Sequence, residues 1–361
     1  MHNPNTFCII MAGGLGSRFW PLSKLKKPKQ FIDLLGTGET LIQLTYRRMT
    51  MICAPENIFV ITIDQYFDLT KEQLPELPEE QILAEPARRN TAACIAYANE
   101  HIKRRNGDAN IIVTPADHLI TKENTFIEVL LKGLKFVSDK DALLTIGIKP
   151  NRPETDYGYI QIEATPELCE ITQVKNFTEK PNLELAELFL STNEFYWNSG
   201  IFIWSLNSIT KAFEKHLQET QELFKGYNPD ANTAQRKKDI DTIYSGCKNV
   251  SIDYGILEKA DNVFVFCADF GWSDLGTWKT LFENSPKSSE GNILSNNNTI
   301  LYDTQDTIIK TNPDKITAIQ GLEGYIVVET KEALLICKKE EEAKIRQIVN
   351  DIKFKKGHEY L

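Results

Sequence analysis

The feature that most restricts this fold is an alternation, through the first 150 residues, of short β-rich runs with helical patterns. Phe7–Ala12 is a compact apolar run, followed by the glycine-rich stretch Gly13–Arg18 and a helical pattern from Thr40 to about Cys53. Ile58–Ile63 reads as a second strand and Thr91–Arg105 as a helix, with Ile95, Ala98 and Ile102 on one face. Ile111–Thr114 is a further strand, Glu123–Val137 a helix and Ala142–Ile148 a strand. Such alternation predicts βαβ units, and hence an α/β fold: a Rossmann-like, mainly parallel sheet with helices on both faces. Ligands of such sheets bind beyond the carboxyl ends of the strands, so the residues just after Ala12, Thr114 and Ile148 are the ones to read for chemistry.

After Asn151 the pattern loosens. Tyr157–Glu163 and Ile171–Phe177 read as strands and Leu183–Leu190 as a helix. Around 285–298 the composition shifts to Ser, Asn and Gly, a boundary signal. Beyond it come short β runs (Ile300–Tyr302, Thr307–Lys310, Ile316–Gln320, Tyr325–Glu329, Ala333–Lys338) and a charged helix at about Glu340–Ile352. The expected division is a catalytic-type domain over 1–285 and a small β-helix-like domain over 286–361. The second carries no chemical motif. Its β edges need covering, so a role in assembly as a homodimer is expected.

Composition narrows the class of partner. With 41 Lys and Arg against 50 Asp and Glu the chain carries a formal charge of −9, which offers nothing general to a phosphate backbone. Nucleic-acid binding is therefore not expected. No run approaches the length of a spanning helix, so no membrane role is expected either. The 7 cysteines are scattered singly, which points to free thiols in a reducing, cytoplasmic setting rather than to a zinc site or disulfides.

Three segments stand where the sheet would place ligands. Gly13-Gly14-Leu15-Gly16-Ser17-Arg18 follows the first strand. Glycines there let backbone N–H groups approach an anion, and Arg18 with Lys29 adds fixed charge. The stretch closes as neither a P-loop nor a dinucleotide fingerprint. Pro115-Ala116-Asp117-His118 puts an acid at a strand's carboxyl end, suited either to a hard cation or to capping a helix. Trp272-Ser273-Asp274-Leu275-Gly276 offers a second acid after a β run, as a cation ligand or a turn residue. Glu179-Lys180-Pro181 and Asn198-Ser199-Gly200 add acid, cation and amide groups that suit sugar hydroxyls, or equally a surface ion pair and a polar turn. No Ser-His-Asp or Cys-His arrangement appears, so the protein need not supply a nucleophile.

Taken together, GGLGSRFWPLS (13–23), PKQF (28–31), EPARRNTA (85–92), PADH (115–118), YGYI (157–160), FTEKP (177–181), WNSGIF (197–202), SIDYGILEK (251–259) and WSDLGTW (272–278) resemble the mannose-1-phosphate guanylyltransferases. They occur in that family's order, and the chain shows the pattern of the short, single-function bacterial members. It departs from the usual pattern at Arg88, where Gly is common, and at Asp156, where a small residue is usual.

The resemblance implies a cytoplasmic nucleotidyltransferase that makes GDP-mannose and pyrophosphate from GTP and mannose 1-phosphate, with Mg²⁺ as cofactor. By the same resemblance Gly13, Gly14, Gly16 and Arg18 hold the triphosphate, and Lys29 adds charge to it. Asn90 and Thr91 lie in the guanosine-reading segment, and Asp117 and Asp274 form the metal pair. Gly158, Glu179 and Asn198 hold the sugar, and Lys180 the sugar phosphate. Arg18, Lys29, Asp117, Lys180 and Asp274 are the expected catalytic set. A sister pyrophosphorylase with another sugar or nucleotide is the alternative. A silent nucleotide-sugar sensor would be expected to have lost Arg18, Lys180 or one of the acids, and all are present.

Overall fold

The computed structural model describes residues 2–14, 17–162, 171–357 and 359–361, so Gly16 of the glycine-rich stretch lies outside the described residues. The chain falls into two compact units, the first made of Met1–Gly13, Thr45–Ala116 and Ile120–Trp272.

That first unit is built on a nine-stranded sheet. Its strands are β1 (Thr6–Met11), β2 (Ile58–Ile63), β3 (Ile82–Glu85), β4 (Asn110–Pro115), β5 (Leu143–Ile148), β6 (Gly158–Ile162), β7 (Ile171–Glu179), β8 (Phe195–Ser205) and β9 (Val263–Cys267). The spatial order is β3-β2-β1-β4-β8-β5-β9-β7-β6. Strands β3, β2, β1 and β4 run parallel, as do β5 and β9, while β8 lies antiparallel between β4 and β5. The parallel sheet read from the alternation is present in β3-β2-β1-β4 and β5-β9, and β6, β7 and β8 add antiparallel pairings that the alternation did not show. Every residue of β2 is buried, as expected of a strand covered on both faces. The helix Asn90–Arg105 lays Ile95, Ala98 and Ile102 against the sheet, all fully buried, in agreement with their i, i+3, i+7 spacing. Tyr97, Phe213, Phe224 and Tyr244 extend this core.

The second unit comprises Gly14–Leu44, Asp117–Leu119 and Ser273–Leu361. Its β part is a parallel stack. Strands β10 (Ile293–Leu294), β12 (Ile308–Lys310) and β14 (Tyr325–Glu329) align Ile293, Ile308 and Ile326 in one register. Strands β11 (Thr299–Tyr302) and β13 (Thr317–Gln320) form a second parallel ladder, and β15 (Leu334–Lys338) returns antiparallel on β14. The closing helix begins at Lys344, not Glu340, because Lys339–Glu341 first makes a single 3₁₀ turn; it then runs on to Lys356.

The sequence could not show what shares this unit's core. Phe19, Trp20, Leu34 and Leu41, from the glycine-rich loop and its continuation, are buried with Trp278, Leu281, Ile308, Ile326 and Ile345. Phe19 meets the Trp278 ring edge-on at 5.1 Å. Lys310 Nζ donates to the Leu34 carbonyl at 2.9 Å. The stack therefore supports the backbone that carries Arg18 and Lys29, besides burying its own apolar rungs.

Trp278 is fully buried at the centre of this cluster. Trp278→Ala should cost about 3–5 kcal/mol in chemical denaturation, as expected for truncating a buried aromatic. A loss below about 1 kcal/mol would mean that the cluster does not hold the loop.

Candidate functional site

Lys29 organises the acids of the second unit. It opens a 3₁₀ turn, Lys29–Phe31, behind Pro28, and is only 9% exposed. Its ammonium donates to the Asp274 carbonyl at 2.6 Å and the Leu275 carbonyl at 3.2 Å, and lies 3.1 Å from Asp117 Oδ2. Three acceptors match three N–H groups, which is what a buried ammonium requires. Asp117 does not cap a helix, since the next helix begins at Glu123 with Lys122 at its N-cap position. Asp274 is held by its own turn, where Oδ1 accepts the Gly276 N–H at 2.9 Å. Gly276 is needed there, because a Cβ would stand 2.5 Å from Asp274 Oδ2. Arg18 lies half-buried in the turn Ser17–Phe19, anchored by buried Phe19.

Asp117 meets the ammonium through its carboxylate and Asp274 through its backbone carbonyl, so one buried charge draws both acidic residues to the same point. No cluster of three or more His, Cys, Asp or Glu able to hold a metal occurs among the described residues. A pair of acids that leaves other positions to water and phosphate oxygens suits a hard divalent cation.

In the first unit the nucleotide-side residues cluster at the ends of β1 and β3. Asn90 opens its helix at a positive φ of 65° and accepts the Thr91 N–H on Oδ1 at 2.9 Å. The Thr91 hydroxyl accepts the Ile252 N–H at 2.9 Å, which pins the SIDYGILEK segment to this helix start. Arg88 Nε donates to the Gly13 carbonyl at 3.4 Å. Gly14 has open space around its α-carbon, and its carbonyl accepts the Gln30 side-chain amide at 3.0 Å within the second unit.

Glu85, unassigned from the sequence, sits in this cluster. It is buried at the carboxyl end of β3, with Oε1 accepting the Tyr244 hydroxyl at 2.9 Å. A Cβ on Gly13 would stand 3.5 Å from its Oε2. Burial pushes its carboxyl up to about 7, against the Tyr244 hydrogen bond and the Arg88 charge. The available signal was an acid closing an apolar strand just before a proline.

The residues expected on the sugar side, Gly158, Glu179, Lys180 and Asn198, lie on or beside β6, β7 and β8. Gly158 and Glu179 are register partners, and a Cβ on Gly158 would collide with Glu179 Oε2. Lys180, at a φ of 48°, pairs with Glu179 Oε1 at 2.6 Å. Asn198 Nδ2 donates to Asp253 Oδ1 at 2.9 Å. Asp253 is a second unassigned residue; burial, and then the Glu179 charge, push its carboxyl up to about 7, against the pull of Lys180 and Asn198. Its sequence signal was an acid inside an otherwise apolar segment, SIDYGIL.

The raised carboxyls set the sign of a pH effect. A carboxyl that holds its proton more tightly when folded loses stability as pH rises from the ordinary carboxylate range to its folded value. Glu85→Gln should therefore gain on the wild-type protein between about pH 4.5 and 7, by on the order of 3 kcal/mol. Denaturation midpoints measured across that window check this, and a constant difference between the two proteins would contradict it.

Comparison with known proteins gives this geometry its context. Residues 7–291 match the Nucleotidyl transferase family, and residues 297–352 match the MannoseP isomerase/GMP-like beta-helix domain. The mannose-1-phosphate guanylyltransferase of Sinorhizobium fredii (strain NBRC 101917 / NGR234) is 35% identical over 353 residues, covering 96% of this chain and 67% of that protein. The Escherichia coli (strain K12) protein of the same name is 32% identical over 371 residues, covering 100% of this chain and 76% of its own. The crystal structure of mannose-1-phosphate geranyltransferase from Thermus thermophilus superposes with a TM-score of 0.84 at 26% identity, covering 97% of this chain and 99% of that one. A nucleotidyl transferase match over most of the chain, joined to relatives of one name along nearly its whole length, establishes the lineage: the chain belongs to the mannose-1-phosphate guanylyltransferase family.

Proposed function

We propose that the protein transfers GMP from GTP to mannose 1-phosphate, releasing pyrophosphate and GDP-mannose. The observation that carries this reading is the buried Lys29 ammonium, which gathers Asp117 and the Asp274 turn at one point. Phosphoryl-type transfer needs positioning and charge neutralisation, not a protein nucleophile. A sugar-phosphate oxygen attacks the α-phosphorus in line, a new P–O bond forms there, and the bond to the pyrophosphate oxygen breaks.

Asp117 and Asp274 would hold Mg²⁺, which when bound neutralises phosphate charge. Lys29 keeps those acids in place and adds positive charge beside the triphosphate. Arg18 and the backbone at Gly13, Gly14 and Gly16 hold the triphosphate. Asn90 and Thr91 shape the guanosine segment, where Glu85 is an acceptor suited to the N–H groups on guanine's edge. Glu179 and Asn198 hold the sugar, with Gly158 leaving room for the Glu179 carboxylate. Lys180 holds the sugar phosphate.

We place the protein in the cytoplasm, in keeping with the six described cysteines, all unpaired. The domains are assigned as 1–285 for catalysis and 286–361 for support, in a homodimer. A matrix of four nucleoside triphosphates against mannose, glucose, fucose and galactose 1-phosphates tests the reaction. Pyrophosphate release highest with another pair would overturn the reading.

Asp117→Ala and Asp274→Ala should each lower turnover by about 10²-fold or more, at saturating Mg²⁺, with the fold retained. Near wild-type turnover in either variant removes that acid from the metal pair. Arg18→Ala should weaken GTP binding and Lys180→Ala binding of mannose 1-phosphate, each by about tenfold or more in calorimetry. Equal loss of both affinities in both variants would contradict the division of roles.

A further inference from the structure

Thr145 is fully buried in β5, with no surface of its own to offer a ligand. Its hydroxyl lies 2.8 Å from Asn198 Oδ1 and 3.3 Å from the Ile201 carbonyl. Both are acceptors, and the hydroxyl has one proton, so the shorter contact to Asn198 takes it. The pairing of β5 with β8 shifts register between Thr145 and Gly147, and Gly147 pairs with Asn198; this irregularity brings the Thr145 hydroxyl to the Asn198 amide. The Gly200 N–H also donates to Asn198 Oδ1, at 3.2 Å. Two donors on Oδ1 turn Nδ2 towards Asp253 Oδ1, 2.9 Å away. Turned over, the amide would set N–H against the Gly200 N–H and oxygen against the Asp253 carboxyl.

We propose that Thr145 is a positioning residue for sugar recognition: it locks the Asn198 amide so that this partly exposed side chain offers its ligand N–H and not oxygen. The inference rests on the reading that Asn198 and Glu179 hold the mannose ring. Beside a donor-only Asn198 stand acceptors on Glu179 and Asp253. A ring hydroxyl seated there must accept from the amide and donate to a carboxyl, so the polarity of recognition is fixed from the buried side of the sheet.

The test is Thr145→Val, nearly the same size without the donor, with Thr145→Ser restoring it. The valine variant should raise the KM for mannose 1-phosphate about tenfold, as expected when one hydrogen bond is misdirected. Its KM and calorimetric Kd for GTP should match wild type, as should its melting temperature within a few degrees. The serine variant should recover the wild-type KM for mannose 1-phosphate. If the valine variant proves insoluble, Thr145→Cys carries the same comparison, since a thiol is a weak donor.

An unchanged KM for mannose 1-phosphate, an equal loss for both substrates, or failure of serine to restore it would overturn the proposal. Wild-type protein that binds no mannose 1-phosphate in calorimetry would instead overturn the functional reading beneath it.

Discussion

The candidate chemistry of the second unit depends on one buried ammonium. An uncompensated charge at the depth of Lys29 would cost several kcal/mol. The chain meets that cost by aiming two backbone carbonyls and one carboxylate at it, from segments as much as 246 positions apart. The carbonyls can point there because Leu275 takes a positive φ of 44° and Gly276 leaves space for the Asp274 carboxylate. Removing any one of these acceptors would leave a buried N–H of the ammonium without its partner. The acids are thus held by the same contacts that make the lysine tolerable in the interior.

In the first unit the governing constraint is desolvation of carboxyls. Glu85 and Asp253 both sit where burial raises them to about 7, and neighbouring Arg88 and Lys180 do not offset it. Such groups are costly to desolvate, and perturbed carboxyls of this kind cluster at functional sites. Each is reached by a hydrogen bond from another element: Tyr244 for Glu85, and Asn198 for Asp253. Their oxygens are therefore oriented by the fold itself.

The β stack explains why a motif-poor tail belongs to the fold. Aligned Ile293, Ile308 and Ile326 make a continuous apolar rung. Phe19, Trp20 and Leu34 use that surface to bury the segment that follows the glycine-rich stretch. Fixing that backbone costs conformational entropy, and burial of these side chains in the shared core offsets it.

The sequence by itself determined most of the strands, the parallel order of the first part of the sheet and the β tail, because period, length and apolar content are local properties of the chain. It also marked Lys29, Asp117, Asp274, Glu179, Lys180 and Asn198, as charged and amide groups within motifs that resemble those of one family. Only the tertiary structure decided that Lys29 joins the two acids, that residues 14–44 share a core with the tail, and that Glu85, Asp253 and Thr145 belong beside the marked residues. Those facts depend on which distant segments meet and on how far each group is removed from water. Neither is written in local spacing: a buried threonine in an apolar strand looks like core until the amide above it is seen to need its proton.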